Sequence, residues 1–149
     1  MRTILKHWFS GNKGQPDLQN GVLVTKYAKS GLTQQEASEI KQKIERAFEL
    51  DKLFKDNSIG LNDLSHHIAQ DRYKVSQVLN EYLNKNFYSI LNYYRVREAQ
   101  ELLLNHPHMS VKAVMYEVGF NSKASFYSAF KKEAGLSPND YRNLVLYAS

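Results

Sequence analysis

The chain repeats itself at an interval of 50–51 residues, and this repeat constrains the fold more than any other feature. Leu61, Leu64 and Ile68 recur as Val111, Val114 and Val118, an offset of 50. Asp71, Val75, Leu79 and Asn84 recur as Ser122, Phe126, Phe130 and Gly135, an offset of 51. The second copy therefore has one extra residue in its connecting turn. Each copy reads as a short helix, a tight turn and a second helix. The apolar residues fall at three- and four-residue spacing, which puts them on one helical face. Asp71, Ser110 and Ser122 stand where helix N-caps are needed, and Asn84 and Gly135 where a left-handed C-terminal residue is needed. Two copies are too few for a solenoid, so they describe two related modules.

Between the modules, residues 87–104 form a continuous helical pattern with Ile90, Leu91, Tyr94, Ala99, Leu102 and Leu103 inward. His106-Pro107-His108 ends it, because proline disfavours helix at the residue before it. The helix after the second copy starts at Ser137-Pro138, with proline at its first position and Asp140 in the first turn. Ahead of the first copy, residues 33–55 read as an amphipathic helix. Thr33 and Glu36 form a capping box, and Ala37, Ile40, Ile44, Ala47 and Phe48 form one apolar stripe. In the second helix of the first copy, Val75, Val78, Leu79 and Tyr82 are expected to point inward. Residues 1–32 hold four of the seven glycines and read as a flexible segment. Strict alternation is sustained nowhere, so the fold class is all-α. It comprises two helix-turn-helix subdomains (61–83 and 110–134) joined by a long linking helix, with an extra N-terminal helix.

A helix-turn-helix can lay the N-terminal outer face of its second helix against base edges in the major groove. In the first copy that face is Tyr73, Ser76, Gln77 and Asn80, flanked by Arg72 and Lys74. In the second it is Ala124, Tyr127, Ser128 and Lys131, with Lys123 before it and Lys132 after it. Any surface helix has a polar outer face. What stands out is two such faces, both read as free of carboxylates, at matched positions of a repeat. Net charge is only +5 over 149 residues, so bulk basicity does not identify a polyanion partner.

Enzymatic readings find little support. There are no cysteines, which excludes disulfides, thiolate zinc sites and cysteine nucleophiles. Four of the five histidines lie in two short clusters, His66-His67 and His106-Pro107-His108, each with fewer ligands than a metal site wants. No nucleophile elbow and no phosphate-binding glycine loop appears. The expectation is no catalytic residues, no metal and no cofactor.

The segment 61–142 resembles the DNA-binding domain of AraC/XylS-type transcriptional regulators. The most specific residues are Val118-Gly119-Phe120-Asn121-Ser122, Ser125-Phe126, Phe130-Lys131-Lys132, Gly135-Leu136-Ser137-Pro138 and Tyr141-Arg142. In the first copy and linking helix, Leu64-Ser65, Ile68, Val75-Ser76, Phe87, Arg95-Val96, Ala99 and Leu102-Leu103 are similar too. The resemblance implies a domain over 56–149 whose recognition helices meet successive major-groove segments, roughly 34 Å apart. It places base contacts on Tyr73, Ser76, Gln77, Lys123, Ala124, Tyr127 and Ser128. Phosphate contacts fall on Arg72, Lys74, Ser122, Lys131 and Lys132. Arginine is common in the family where this chain has Gln77 and Ser128, so guanine readout is weakened there. Gln77 is suited to adenine instead. Met115 stands where a small alanine is usual, and Asn84 where glycine is. DNA-repair alkyl transferases with a similar domain carry reactive cysteines, which this chain lacks.

Residues 26–32 with the 33–55 helix resemble the segment joining a membrane sensor to this domain in Bacteroidetes regulators. That leaves two readings: the cytoplasmic output part of a membrane-anchored protein, or a stand-alone regulator with an N-terminal extension. Double-stranded DNA is the expected partner. RNA polymerase and a second copy paired through the 33–55 helix are further candidates, and no small-molecule domain is expected in this chain. The rival reading is a partner-binding or dimerising signalling module whose DNA binding is secondary.

Overall fold

A computed structural model of the chain describes residues 31–148. The expected flexible segment lies almost wholly outside the described residues. Within them every regular element is helical and there is no strand. The described residues divide into two units: those up to Asp51 with Gly60–Phe87, and Lys52–Ile59 with those from Tyr88 onward.

The first unit begins with α1 (Gln34–Glu49). Thr33 Oγ1 accepts from the Glu36 N–H at 3.1 Å, and Glu36 Oε2 accepts from the Thr33 N–H at 3.0 Å, which completes the capping box. Ala37, Ile40, Ile44, Ala47 and Phe48 are buried. They pack on α2 (Leu61–His67) and on a π-helical turn, Val78–Tyr82. The stripe considered as a dimer surface is thus covered by the chain's own helices. α1 also stops short of residue 55. Leu50 is 71% exposed and Lys52 takes a left-handed conformation (φ 50°), through which a helix does not continue. Leu53–Lys55 form a separate 3₁₀ turn in the second unit.

α2 leads through Ala69, itself left-handed at φ 54°, to α3 (Arg72–Gln77). Asp71 Oδ1 caps α3, accepting from the N–H groups of Tyr73 (2.9 Å) and Lys74 (3.2 Å). α3 then widens into the π turn, closed by the Leu83 N–H on the Val78 carbonyl at 3.2 Å. The wider turn shifts the inward register. Val75, Val78 and Leu79 are buried as expected, but Tyr82 is 41% exposed and Leu83 takes the buried place. Asn84 supplies the left-handed residue, φ 50°.

The second unit contains α4 from Tyr88 onward (the helix spans Phe87–Asn105), α5 (Val111–Glu117), α6 (Lys123–Ala134) and α7 (Pro138–Ala148). Ser110 caps α5 by accepting from the Ala113 N–H at 3.0 Å, and Ser122 caps α6 by accepting from the Ser125 N–H at 3.2 Å. The core joins Val96, Ala99 and Leu103 of α4 to Val114 and Met115 of α5 and Phe126 and Phe130 of α6. Met115 fits there among them. Phe126 meets Phe120 at 5.2 Å and Phe130 at 5.8 Å between ring centroids, and Phe130 meets Tyr141 at 5.5 Å. Arg142 donates to the Leu103 carbonyl at 3.0 Å and the His106 carbonyl at 3.3 Å, satisfying the otherwise open end of α4. The Tyr141-Arg142 pair is therefore structural: one side chain closes the core and the other caps a helix.

Candidate nucleic-acid interface

α3 presents Arg72 and Tyr73 to solvent, Tyr73 at 68% exposure, with Ser76, Gln77 and Asn80 half-buried along the same side. Two carboxylates come close to this helix, and neither was anticipated. Glu36 of α1 pairs with Lys74, Oε1 to Nζ at 3.0 Å. This engages a cation expected on phosphate. The Thr33 backbone N–H, and next the Lys74 ammonium, hold the Glu36 carboxyl below its ordinary range. Further along, Glu81 Oε2 accepts from Gln77 Nε2 at 2.9 Å. Because a carboxylate only accepts, this bond fixes which end of the Gln77 amide faces Glu81. The first face is thus not free of acids. Glu81 sits four residues beyond Gln77, on the same side of the helix, and that spacing was the signal that could have found it. Glu36 has no such signal, since it lies 38 residues before Lys74.

α6 presents a different surface. Lys123, Ala124, Ser128, Lys131 and Lys132 are exposed, and Tyr127 is half-buried. The Lys123 ammonium lies over the Tyr127 ring, 5.1 Å from its centroid. Asn139 Nδ2 donates to the Tyr127 hydroxyl at 3.0 Å. Ser122 has its hydroxyl in the cap, where Oγ also donates to Ser125 Oγ at 2.9 Å. Its part in any phosphate contact is therefore shared with holding the helix end. No carboxylate belongs to the face formed by Ala124, Tyr127, Ser128 and Lys131.

The turns ahead of the two helices differ in a telling way. Gly119 adopts φ 102°, and a Cβ there would lie 2.6 Å from the Phe54 carbonyl oxygen and 2.9 Å from Arg95 Nε. Only glycine fits. The matched residue in the first copy, Ala69, is exposed and has room for its methyl group.

Elsewhere, His67 pairs with Asp51 at 2.9 Å. Among the described residues, no cluster of three or more potential ligands could hold a metal ion, and no helix is long and apolar enough to cross a membrane.

A family model described as a helix-turn-helix domain matches residues 64–144. The chain is 31% identical over 86 residues to YdeC, an uncharacterized HTH-type transcriptional regulator of Bacillus subtilis. That match takes in 58% of this chain and 29% of the relative, so the chain spans less than a third of the relative's length. The C-terminal domain of AraT, a response regulator from Geobacillus stearothermophilus, superimposes with a TM-score of 0.60 at 25% identity. It covers 70% of this chain and 83% of that one. The C-terminal domain of the two-component response regulator YesN from Fusobacterium nucleatum is similar in fold. Its TM-score is 0.60 at 23% identity, covering 70% of this chain and 98% of that one.

Proposed function

The chain belongs to the AraC/XylS-type helix-turn-helix family, and from that premise we propose that it binds specific DNA sequences to regulate transcription, docking α3 and α6 in successive major-groove segments. What carries this reading is the N-terminal face of α6. It is an acid-free surface of the exposed Lys123, Ala124 and Ser128 with the half-buried Tyr127, and Lys131 and Lys132 lie behind it. Such a face suits base edges at its front and phosphates at its rear. The repeat supports a second docking helix of the same kind in α3.

On this reading Tyr73, Ser76 and Gln77 of α3 and Lys123, Ala124, Tyr127 and Ser128 of α6 face bases. Arg72, Lys131 and Lys132 face phosphates, with Ser122 at the α6 cap. Lys74 joins them when phosphate displaces Glu36. Gln77 pairs with adenine, its amide presenting a donor and an acceptor to N7 and N6. Phosphate contacts supply most of the affinity and make it salt-dependent. On this reading the site of action is the cytoplasm. Contact with RNA polymerase belongs to the same reading.

The test is selection from duplex DNA with a randomised core, using the full 149-residue chain. The expected product is a motif of two elements spaced by about 10 base pairs, one helical turn. Recovery of unenriched DNA would overturn the proposal.

A further inference from the structure

One side chain on α6 is held from three directions. The Tyr127 ring meets Phe126 edge-on at 5.9 Å between centroids. The Lys123 ammonium lies over its face at 5.1 Å. Its hydroxyl accepts from Asn139 Nδ2 at 3.0 Å. Asn139 is not on the recognition helix but near the start of α7, in a turn that is itself fixed. Ser137 Oγ accepts from the Asp140 N–H at 3.1 Å, and Tyr141 packs on Phe130. The amide therefore reaches Tyr127 from a rigid platform.

A phenol has one O–H to donate and lone pairs with which to accept. The Asn139 N–H occupies the accepting side. The Tyr127 proton is left to point elsewhere, and a hydroxyl that is already accepting becomes a stronger donor. We propose that Asn139 is a positioning residue that sets base preference on α6 by committing Tyr127 to donate. Its target is an acceptor on the major-groove edge: guanine O6 or N7, adenine N7 or thymine O4. The exocyclic amines of adenine and cytosine are disfavoured because they are donors. Asn139 itself touches no base. Its effect falls on discrimination at one base pair and leaves phosphate-driven affinity alone. This inference rests on the reading of α6 as a recognition helix.

The experiment uses the full chain, the randomised duplex library, and then titrations on the selected duplex and its single-base substitutions. In Y127F and N139A, preference at one and the same base pair falls roughly five- to tenfold. The double variant is no worse than Y127F, because the two side chains act through one hydroxyl. The salt dependence of binding stays as in the wild type. N139D places a carboxylate that accepts a hydrogen bond from the phenol O–H and leaves its oxygen to accept from the base, so preference at that pair moves toward the exocyclic amines of adenine or cytosine. Asn139 is exposed, and N139D also serves as the second variant should N139A fold poorly. A wild-type motif retained in both Asn139 variants overturns the inference. So does a loss in N139A that is equal on all duplexes, or one at a different base pair from Y127F. If the wild-type chain enriches no motif, the DNA-binding reading itself fails, a result visible before any variant is compared.

Discussion

Arg95 Nε donates to the carbonyl oxygen of Phe54 across 2.8 Å, and its Nη2 donates to the Asp56 carbonyl at 2.9 Å. One buried guanidinium thereby satisfies two carbonyls of an irregular segment. It also lies over the Phe120 ring, 5.4 Å from the centroid. Burial pulls the Arg95 pKa below its ordinary value, with Asp56 opposing that shift. The side chain stays charged nonetheless, because a guanidinium starts so high.

Replacing Arg95 with methionine should therefore cost about 2–4 kcal/mol, since the buried Phe54 carbonyl loses its donor and the Asp56 carbonyl keeps only the long bond from the Ile59 N–H, while the stem is kept. Lysine should not restore it, because an ammonium cannot reproduce the fork that serves both oxygens. Urea unfolding measures both variants. A methionine variant within about 0.5 kcal/mol of wild type would show the pairings to be dispensable.

Gly119 and Gly135 make a matched comparison. Both have positive φ, 102° and 77°. A Cβ at Gly135 meets nothing within 4 Å, whereas one at Gly119 collides with backbone and with Arg95. Gly135→Ala should cost about 1–2 kcal/mol, the conformational penalty alone. Gly119→Ala should cost at least about 3 kcal/mol or abolish folding. Ala69→Gly should be neutral or stabilising. Equal thermal shifts for the two glycine variants would refute the steric account.

The Glu36 carboxyl is held below its ordinary range by the Thr33 N–H and the Lys74 ammonium. A depressed carboxylate adds stability above its unfolded pKa, and that stability drains away as pH falls through the folded one. Melting temperature should therefore decline below about pH 4.5, and Glu36→Gln should flatten part of that decline. The same variant leaves Lys74 without its carboxylate. If Lys74 then reaches phosphate, the slope of log K against log salt should steepen by about one. Parallel pH profiles for variant and wild type would remove Glu36 from the account.

Glu81 and Gln77 should part company in DNA binding. Gln77→Ala should lose about 1–3 kcal/mol of discrimination at one base pair. Glu81→Ala should tighten binding to all duplexes at low salt, by relieving repulsion from phosphate, while blurring preference at the pair read by Gln77. Lys131→Ala should weaken every duplex alike. If Glu81→Ala weakened all binding uniformly, the carboxylate would have to be a direct contact instead.

Much of the fold was legible because it follows rules that act within about four residues. The caps at Thr33, Asp71, Ser110 and Ser122, the left-handed Asn84 and Gly135, and the inward Phe126 and Phe130 all follow from neighbours one helical turn away. The limits of α1 and the inward side of Tyr82 did not follow. Apolar spacing continues past Glu49 and past Leu79, but Lys52 turns left-handed and the π turn inserts a residue. Periodicity registers neither, because it assumes a uniform turn.

The sequence by itself determined the all-helical class, the caps, the repeat and which side of each recognition helix faces outward, since spacing along one chain fixes which side a residue occupies. Which side chains on those faces are engaged was decided only by tertiary structure. Lys74 is paired by a residue 38 positions away and Tyr127 by one 12 positions away. Contacts of that range depend on how one helix is set against another, and no local pattern encodes the meeting of two side chain ends.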